Sequence, residues 1–241
     1  MRTTLHTLTF KRAALIISLA LFTLSLVASS VIRRQTSHPP VAQDSMESSI
    51  VANAAAKQRV ISQLAKQPTH FEAAPAGSNT KFVAHGVNYG MWLADDGMTL
   101  TLSGMKKPAG DTNARPELET ATLRVGFAGG KAVKVEADGQ QSAKSNYFIG
   151  SDPKKWRTDV AHYDRVKYDE LWPGVDAVVY GNGEQLEYDF IVAPGVSVDT
   201  IALKFDGADK LEFAANGDLV ATIGERQVTQ HAPVIYQEIA G

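Results

Sequence analysis

The chain contains no cysteine among its 241 residues. This excludes a disulfide-stapled scaffold, a thiol nucleophile and any metal site built on thiolates. It does not exclude export, because a chain of this length can bury enough apolar surface to stand without cross-links. Positive charge is not in excess either: 24 Lys and Arg stand against 26 Asp and Glu, for a net charge of −2. Loss of an N-terminal segment carrying Arg2, Lys11 and Arg12, and no acid, lowers that to −5. No footprint for nucleic acid remains, and no nucleic-acid partner is expected. Catalytic signatures are missing as well. There is no G-x-S-x-G elbow and no Walker loop, and Gly181-Asn182-Gly183 leads into a strand pattern rather than a helix. Helical periodicity is absent after Lys66.

What is present begins with an apolar run, Ala13 to Ile32, flanked by Lys11-Arg12 and Arg33-Arg34. Two readings stay open. As a secretory signal peptide, the run offers the small residues Val27-Ala28-Ser29 near a cleavage point. As a signal anchor, its roughly 20 residues just suffice to cross the hydrocarbon as a helix and tether the chain to a membrane. Both predict export, to the periplasm, the cell surface or the medium. Gln35 to Asp44, with its Pro-Pro pair, reads as an extended linker. Ser45 to Lys66 carries a patchy stripe of Ile50, Ala54, Val60, Ile61 and Leu64, predicting a short amphipathic helix. The expected organisation is therefore a signal peptide or anchor over 1–32, a linker plus helix over 33–68, and a β domain over 69–241.

The β domain is read from alternation and turn chemistry. Val175 to Tyr180 and Gln185 to Val192 flank Asn182-Gly183, which suits a two-residue turn. Leu186, Tyr188, Phe190 and Val192 share one face, while Glu187 and Asp189 point the other way. Ala193-Pro194-Gly195 ends the run. Leu171-Trp172-Pro173-Gly174 reads as a tight turn. Tyr163 and Tyr168 fall on opposite parities, which suggests a bulge or a strand end between them. Further hairpins are expected across Asp95-Asp96-Gly97, across Gly129-Gly130, joining Ala121–Phe127 to Ala132–Ala137, and across Asn216-Gly217-Asp218. Gly104 to Leu118 reads as a loop, and Asp138 to Lys144 as a link. Short strands separated by turn residues predict an all-β, antiparallel, sandwich-like module, preceded by the hydrophobic and amphipathic helices.

The phrases SNYFIGSDPKKWRTDV, ELWPGVDAVVYGN, QLEYDFIVAPG and QHAPVIYQEI together resemble one bacterial family. It is the N-terminal domain of unassigned function found ahead of SBBP repeats, of the seven-bladed β-propeller type, in large exported proteins. The resemblance runs from His70 to the C-terminus. It implies an extracytoplasmic all-β module and carries no catalytic or binding residues over. The family's propeller repeats, which would be in-chain partners, do not follow here, so a fragment of a longer protein and a module standing alone are both open.

Candidate chemistry is sparse. Glu187 and Asp189, roughly 7 Å apart on one strand face, have a spacing that glycoside hydrolysis can use. Alternation alone also demands polar residues there. Acidic turns at Asp95-Asp96, Asp206 to Asp209 and Asn216 to Asp218 suit Ca²⁺, but such residues favour turns for their own sake. His70, His85, His162 and His231 are scattered and read as ordinary surface or hydrogen-bonded histidines, so no metal and no cofactor are expected. Trp156, Trp172 and Tyr168 are the candidate ligand contacts, a stacking platform for a surface glycan, with core packing as the competing reading. The sequence thus predicts a non-catalytic, exported cell-envelope module with a structural, adhesion or scaffold role. It would contact envelope proteins or glycans. Carbohydrate binding is the first alternative and a glycoside hydrolase-like enzyme the second.

Overall fold

A computed structural model describes residues 14–23, 69–86, 88–106, 115–182 and 185–238. The fold is all-β and antiparallel. In chain order the strands are β1 (Ala14–Thr23), β2 (Phe71–Ala73), β3 (Thr80–His85), β4 (Tyr89–Ala94), β5 (Gly97–Lys106), β6 (Glu117–Phe127), β7 (Lys134–Tyr147), β8 (Arg157–Trp172), β9 (Val175–Asn182) and β10 (Gln185–Val192). They are followed by β11 (Leu203–Asp206), β12 (Lys210–Phe213), β13 (Leu219–Ile223), β14 (Arg226–Gln230) and β15 (Val234–Glu238). Short 3-10 turns at Pro153–Lys155 and Val198–Thr200 interrupt them.

These strands form one sheet rather than two, in the order β11-β6-β5-β4-β3-β2-β8-β9-β10-β1-β14-β13-β12, with β7 on β8 and β15 on β1. The sheet curls until distant strands meet across one core. Phe127 of β6 packs edge-on against Tyr168 and Trp172 of β8, at 5.5 and 5.8 Å between ring centres, although four strands lie between them along the sheet. At the rim, Arg226 of β14 donates to the Glu119 carbonyl of β6 at 3.0 Å. The sandwich-like expectation thus becomes a single folded-over sheet, which native twist favours when many strands are joined edge to edge.

The central hairpin forms as its alternation dictates. Leu186, Tyr188, Phe190 and Val192 are at most 3% exposed, and face Val175, Ala177 and Val179 in the same core. Asn182 pairs with Gln185, so it is the last paired residue of β9 and not a central turn residue. Pro173-Gly174 turns β8 into β9, with Gly174 at φ 74°. The expected bulge lies further on: the β8–β9 register shifts between Tyr168 and Trp172, with Glu170 at φ 50°. Tyr163, opposite Phe71, packs half-buried against the same core that holds Tyr168.

Two expectations are corrected. The hairpin across Gly129-Gly130 does not form, because β6 pairs with β5 and β11 while β7 pairs with β8. The chain turns at Gly129 and crosses to β8, where Gly130 lies so close to the Trp172 ring that a Cβ there would sit 2.6 Å from it. Asp138 to Lys144 is no link but the irregular middle of the 14-residue strand β7. Ala14–Thr23 is a strand between β10 and β14–β15. The β5–β6 hairpin also runs further than expected, to Lys106 and from Glu117. The linker and amphipathic helix over 33–68 lie outside the described residues. Among the described residues no helix is long and apolar enough to cross a membrane.

Candidate functional site

The middle of the chain supplies the core first. Tyr168 and Trp172, two of the three expected ligand contacts, are 0% and 3% exposed. Trp172 Nε1 donates to the Ala128 carbonyl at 3.1 Å, and its ring also packs on Phe190. Their exposure is therefore corrected. A Trp beside a Pro-Gly turn reads as a surface residue in sequence, but this turn sits over the folded-back β6. Trp156 alone of the three is on the surface, beside Phe148 and Ile149 at the β7–β8 tip. No shared stacking face assembles from the trio.

Glu187 and Asp189 are on the outer face of β10, as alternation requires. Glu187 accepts from Asn182 Nδ2 at 2.8 Å, and Asp189 from the Tyr180 hydroxyl at 3.2 Å. A shallow pocket of ≈ 300 Å³ lies elsewhere, lined by residues that include Glu119, Thr122, Ile223 and Arg226, with neither carboxylate in it. The acidic turns are likewise occupied by protein groups. Asp95 pairs with Lys81, Asp96 with Arg124, and Asp218 takes the Ala232 amide and His231 Nδ1.

What the fold does bring together is His70, Glu72 and His162, and the scattered-histidine reading is corrected here. Phe71 faces Tyr163 across β2 and β8 and enters the core. Successive side chains of a strand alternate, so Glu72 turns to the opposite face beside His162. The long strand β7 pairs with β8 and brings Ser145 and Tyr147 to that face. Tyr147 donates its hydroxyl to Glu72 Oε2 at 2.8 Å, and Ser145 Oγ lies 2.7 Å from His162 Nε2. Arg157 ties the cover down through the Ala73 carbonyl at 2.7 Å and lies over the Tyr147 ring.

Glu72 is 1% exposed, unusual for a carboxylate in an otherwise apolar fold. Its Oε1 lies 3.4 Å from His70 Nε2 and 3.2 Å from His162 Nε2. It nevertheless accepts no hydrogen bond from either. The two imidazoles stack at 3.7 Å between ring centres, with planes 19° apart. Burial works against the charge of Glu72, but the Tyr147 and Ser145 hydroxyls and the two imidazoles outweigh it and hold the carboxyl below its ordinary range. Burial, helped by the neighbouring His162, pushes His70 below the usual imidazole range. The result is a buried anion facing an imidazole that is neutral at pH 7. One donor atom from each of the three residues lies within 4.8 Å of the others. Among the described residues, these are the ones grouped so as to suit a cation.

Sequence reasoning passed over Glu72 altogether. The legible signal was its spacing from His70: two residues apart is the same-face spacing of a strand. The region from Pro68 to Ser78 has no alternation long enough to mark a strand, and His162 becomes a neighbour only through the β2–β8 pairing.

A search of curated proteins and a search of solved structures each found no match. Residues 70–241 match the model of a family described as a domain of unknown function, DUF7948, and this chain belongs to that family.

Proposed function

We propose that this chain is a non-catalytic, exported module of the cell envelope. Its role is structural, adhesive or scaffolding, and its usual place is N-terminal to propeller repeats. The observation that carries this reading is the use made of the aromatic-rich middle segment. Tyr168, Trp172, Tyr188 and Phe190 are each at most 3% exposed and bind the curled sheet into one core. They do not line a cleft with Glu187 and Asp189. Exposed apolar side chains support the same reading. Val234, Ile235 and Tyr236 on β15 present apolar surface near the C-terminus, where an adjoining module would rest. Export is supported by the sequence alone, through the basic residues and apolar composition of the N-terminal segment, part of which, Ala14–Thr23, the fold takes up as β1.

Fractionation of the native host, followed by immunoblotting, tests the reading. The protein is expected in the envelope or the medium, and recovery in the soluble cytosolic fraction would refute it. Carbohydrate binding stands as the second reading, favoured by the surface pair Trp156 and Phe148, whose rings meet edge-on at 5.2 Å.

A further inference from the structure

We propose that His70, Glu72 and His162 bind a divalent transition-metal ion, Zn²⁺, through three protein ligands with a fourth position open to solvent. The donor set is two imidazoles and a carboxylate, a combination that zinc takes readily. Two of the three donor separations fit the ion. Ligands about 2.1 Å from a tetrahedral centre stand about 3.4 Å from one another. The Nε2-to-Oε1 separations are 3.4 and 3.2 Å, and the two imidazole donor atoms lie within 4.8 Å of each other.

The second observation is independent of the spacing. Glu72 Oε1 is buried, aimed between two imidazole nitrogens, and among the described residues without a hydrogen bond. A buried carboxylate oxygen without a hydrogen bond is costly, and a cation at this point would satisfy it. The surroundings also resemble those of a metal ligand held in place. The Tyr147 hydroxyl on Oε2 orients the carboxylate so that Oε1 faces the imidazoles. Ser145 Oγ on His162 Nε2 occupies the place from which metal would displace it.

Access is from the His70 side. The His70 side chain is 28% exposed, against 10% for His162 and 1% for Glu72. The stacked ring planes are nearly parallel, so lone pairs lying in those planes do not yet converge. Loading requires them to splay, and His70, at the open end and just before β2, is the one free to turn. The bound ion would clamp β2, only three residues long, to β8.

The test uses the full-length protein, stripped of metal with a chelator and titrated with zinc chloride by calorimetry. One equivalent is expected to bind. At a zinc concentration one hundred times Kd, Tm should rise by about 5–11 °C for a domain of this size. Glu72→Gln and His162→Ala change buried groups and risk unfolding, so the deciding variants are His70→Ala and Tyr147→Phe. The first removes a partly exposed ligand and should abolish binding while the circular dichroism spectrum stays native. The second removes only the hydroxyl that orients the carboxylate and should weaken binding about 10–100-fold. Cobalt(II) loaded in place of zinc should give the visible bands of a tetrahedral site in the wild type and none in His70→Ala. Failure of the folded wild type to bind zinc overturns the proposal. So does undiminished binding by folded His70→Ala, which would place the ion on other residues.

Discussion

Replacing Tyr168 by phenylalanine is expected to stabilise the protein, and replacing Tyr188 in the same way to weaken it. Both side chains are at most 1% exposed, and burial pushes both phenols far above their ordinary range, so each is a neutral hydroxyl. Their partners differ. The Tyr188 hydroxyl donates to Gln230 Oε1 at 2.9 Å, whereas the Tyr168 hydroxyl has no partner among the described residues. A buried polar group without a partner costs about 1–3 kcal/mol. Phenylalanine at 168 keeps the ring contact with Phe127 and removes the unpaired oxygen. A gain of about 1–2 kcal/mol follows, or a rise in Tm of about 2–8 °C. Phenylalanine at 188 loses one hydrogen bond and strands Gln230, a loss of about 1 kcal/mol and about 2–4 °C. Scanning calorimetry of the two variants against wild type measures both signs in one experiment. If Tyr168→Phe falls in Tm alongside Tyr188→Phe, the hydroxyl has a partner, with Asp95 the nearest charged candidate, and the reasoning fails.

The acid limb of stability should depend on Asp218. The Ala232 amide, Asn216 and His231 hold its carboxyl below the ordinary range, so the stability it contributes is full above its unfolded pKa of about 3.9 and is lost as pH falls through the lower folded value. Thermal unfolding of Asp218→Asn should show a shallower decline below about pH 4 than wild type. An unchanged slope would remove Asp218 from the account. For the glycan reading, Trp156→Ala should erase any specific signal on a glycan array while Trp172→Ala lowers stability. Signal surviving in folded Trp156→Ala would move the contact away from the β7–β8 tip.

Legibility in the sequence follows the range of the interaction. The alternation of Leu186, Tyr188, Phe190 and Val192 requires only neighbours along one strand, and β10 formed as read. Turn chemistry at Asp95-Asp96 and Pro173-Gly174 is equally local, and both turns are where composition puts them. Gly129-Gly130 carries the same local signal as a hairpin turn. Whether the next strand returns beside the last or crosses the molecule depends on which edge is free, and a turn signal does not contain that. The run Ala14–Thr23 shows a further limit. A short, uniformly apolar stretch has no period to separate helix from strand. Its place between β10 and β14–β15 is decided by the edges those strands leave open.

The candidate site lies at the far end of this range. His70 and Glu72 are two residues apart, yet His162 is ninety positions downstream, and the cover from Ser145 and Tyr147 comes from a third strand. By itself the sequence determined an all-β, cysteine-free chain with one apolar face per strand, because those properties rest on residue type and period. Tertiary structure alone decided that the fifteen strands of the described residues make a single curled sheet, that Trp172 is inside, and that a carboxylate and two imidazoles meet beside β7. Each of those outcomes depends on which strand edges pair, and pairing is a choice among many nearly equivalent edges that only the whole folded chain can make.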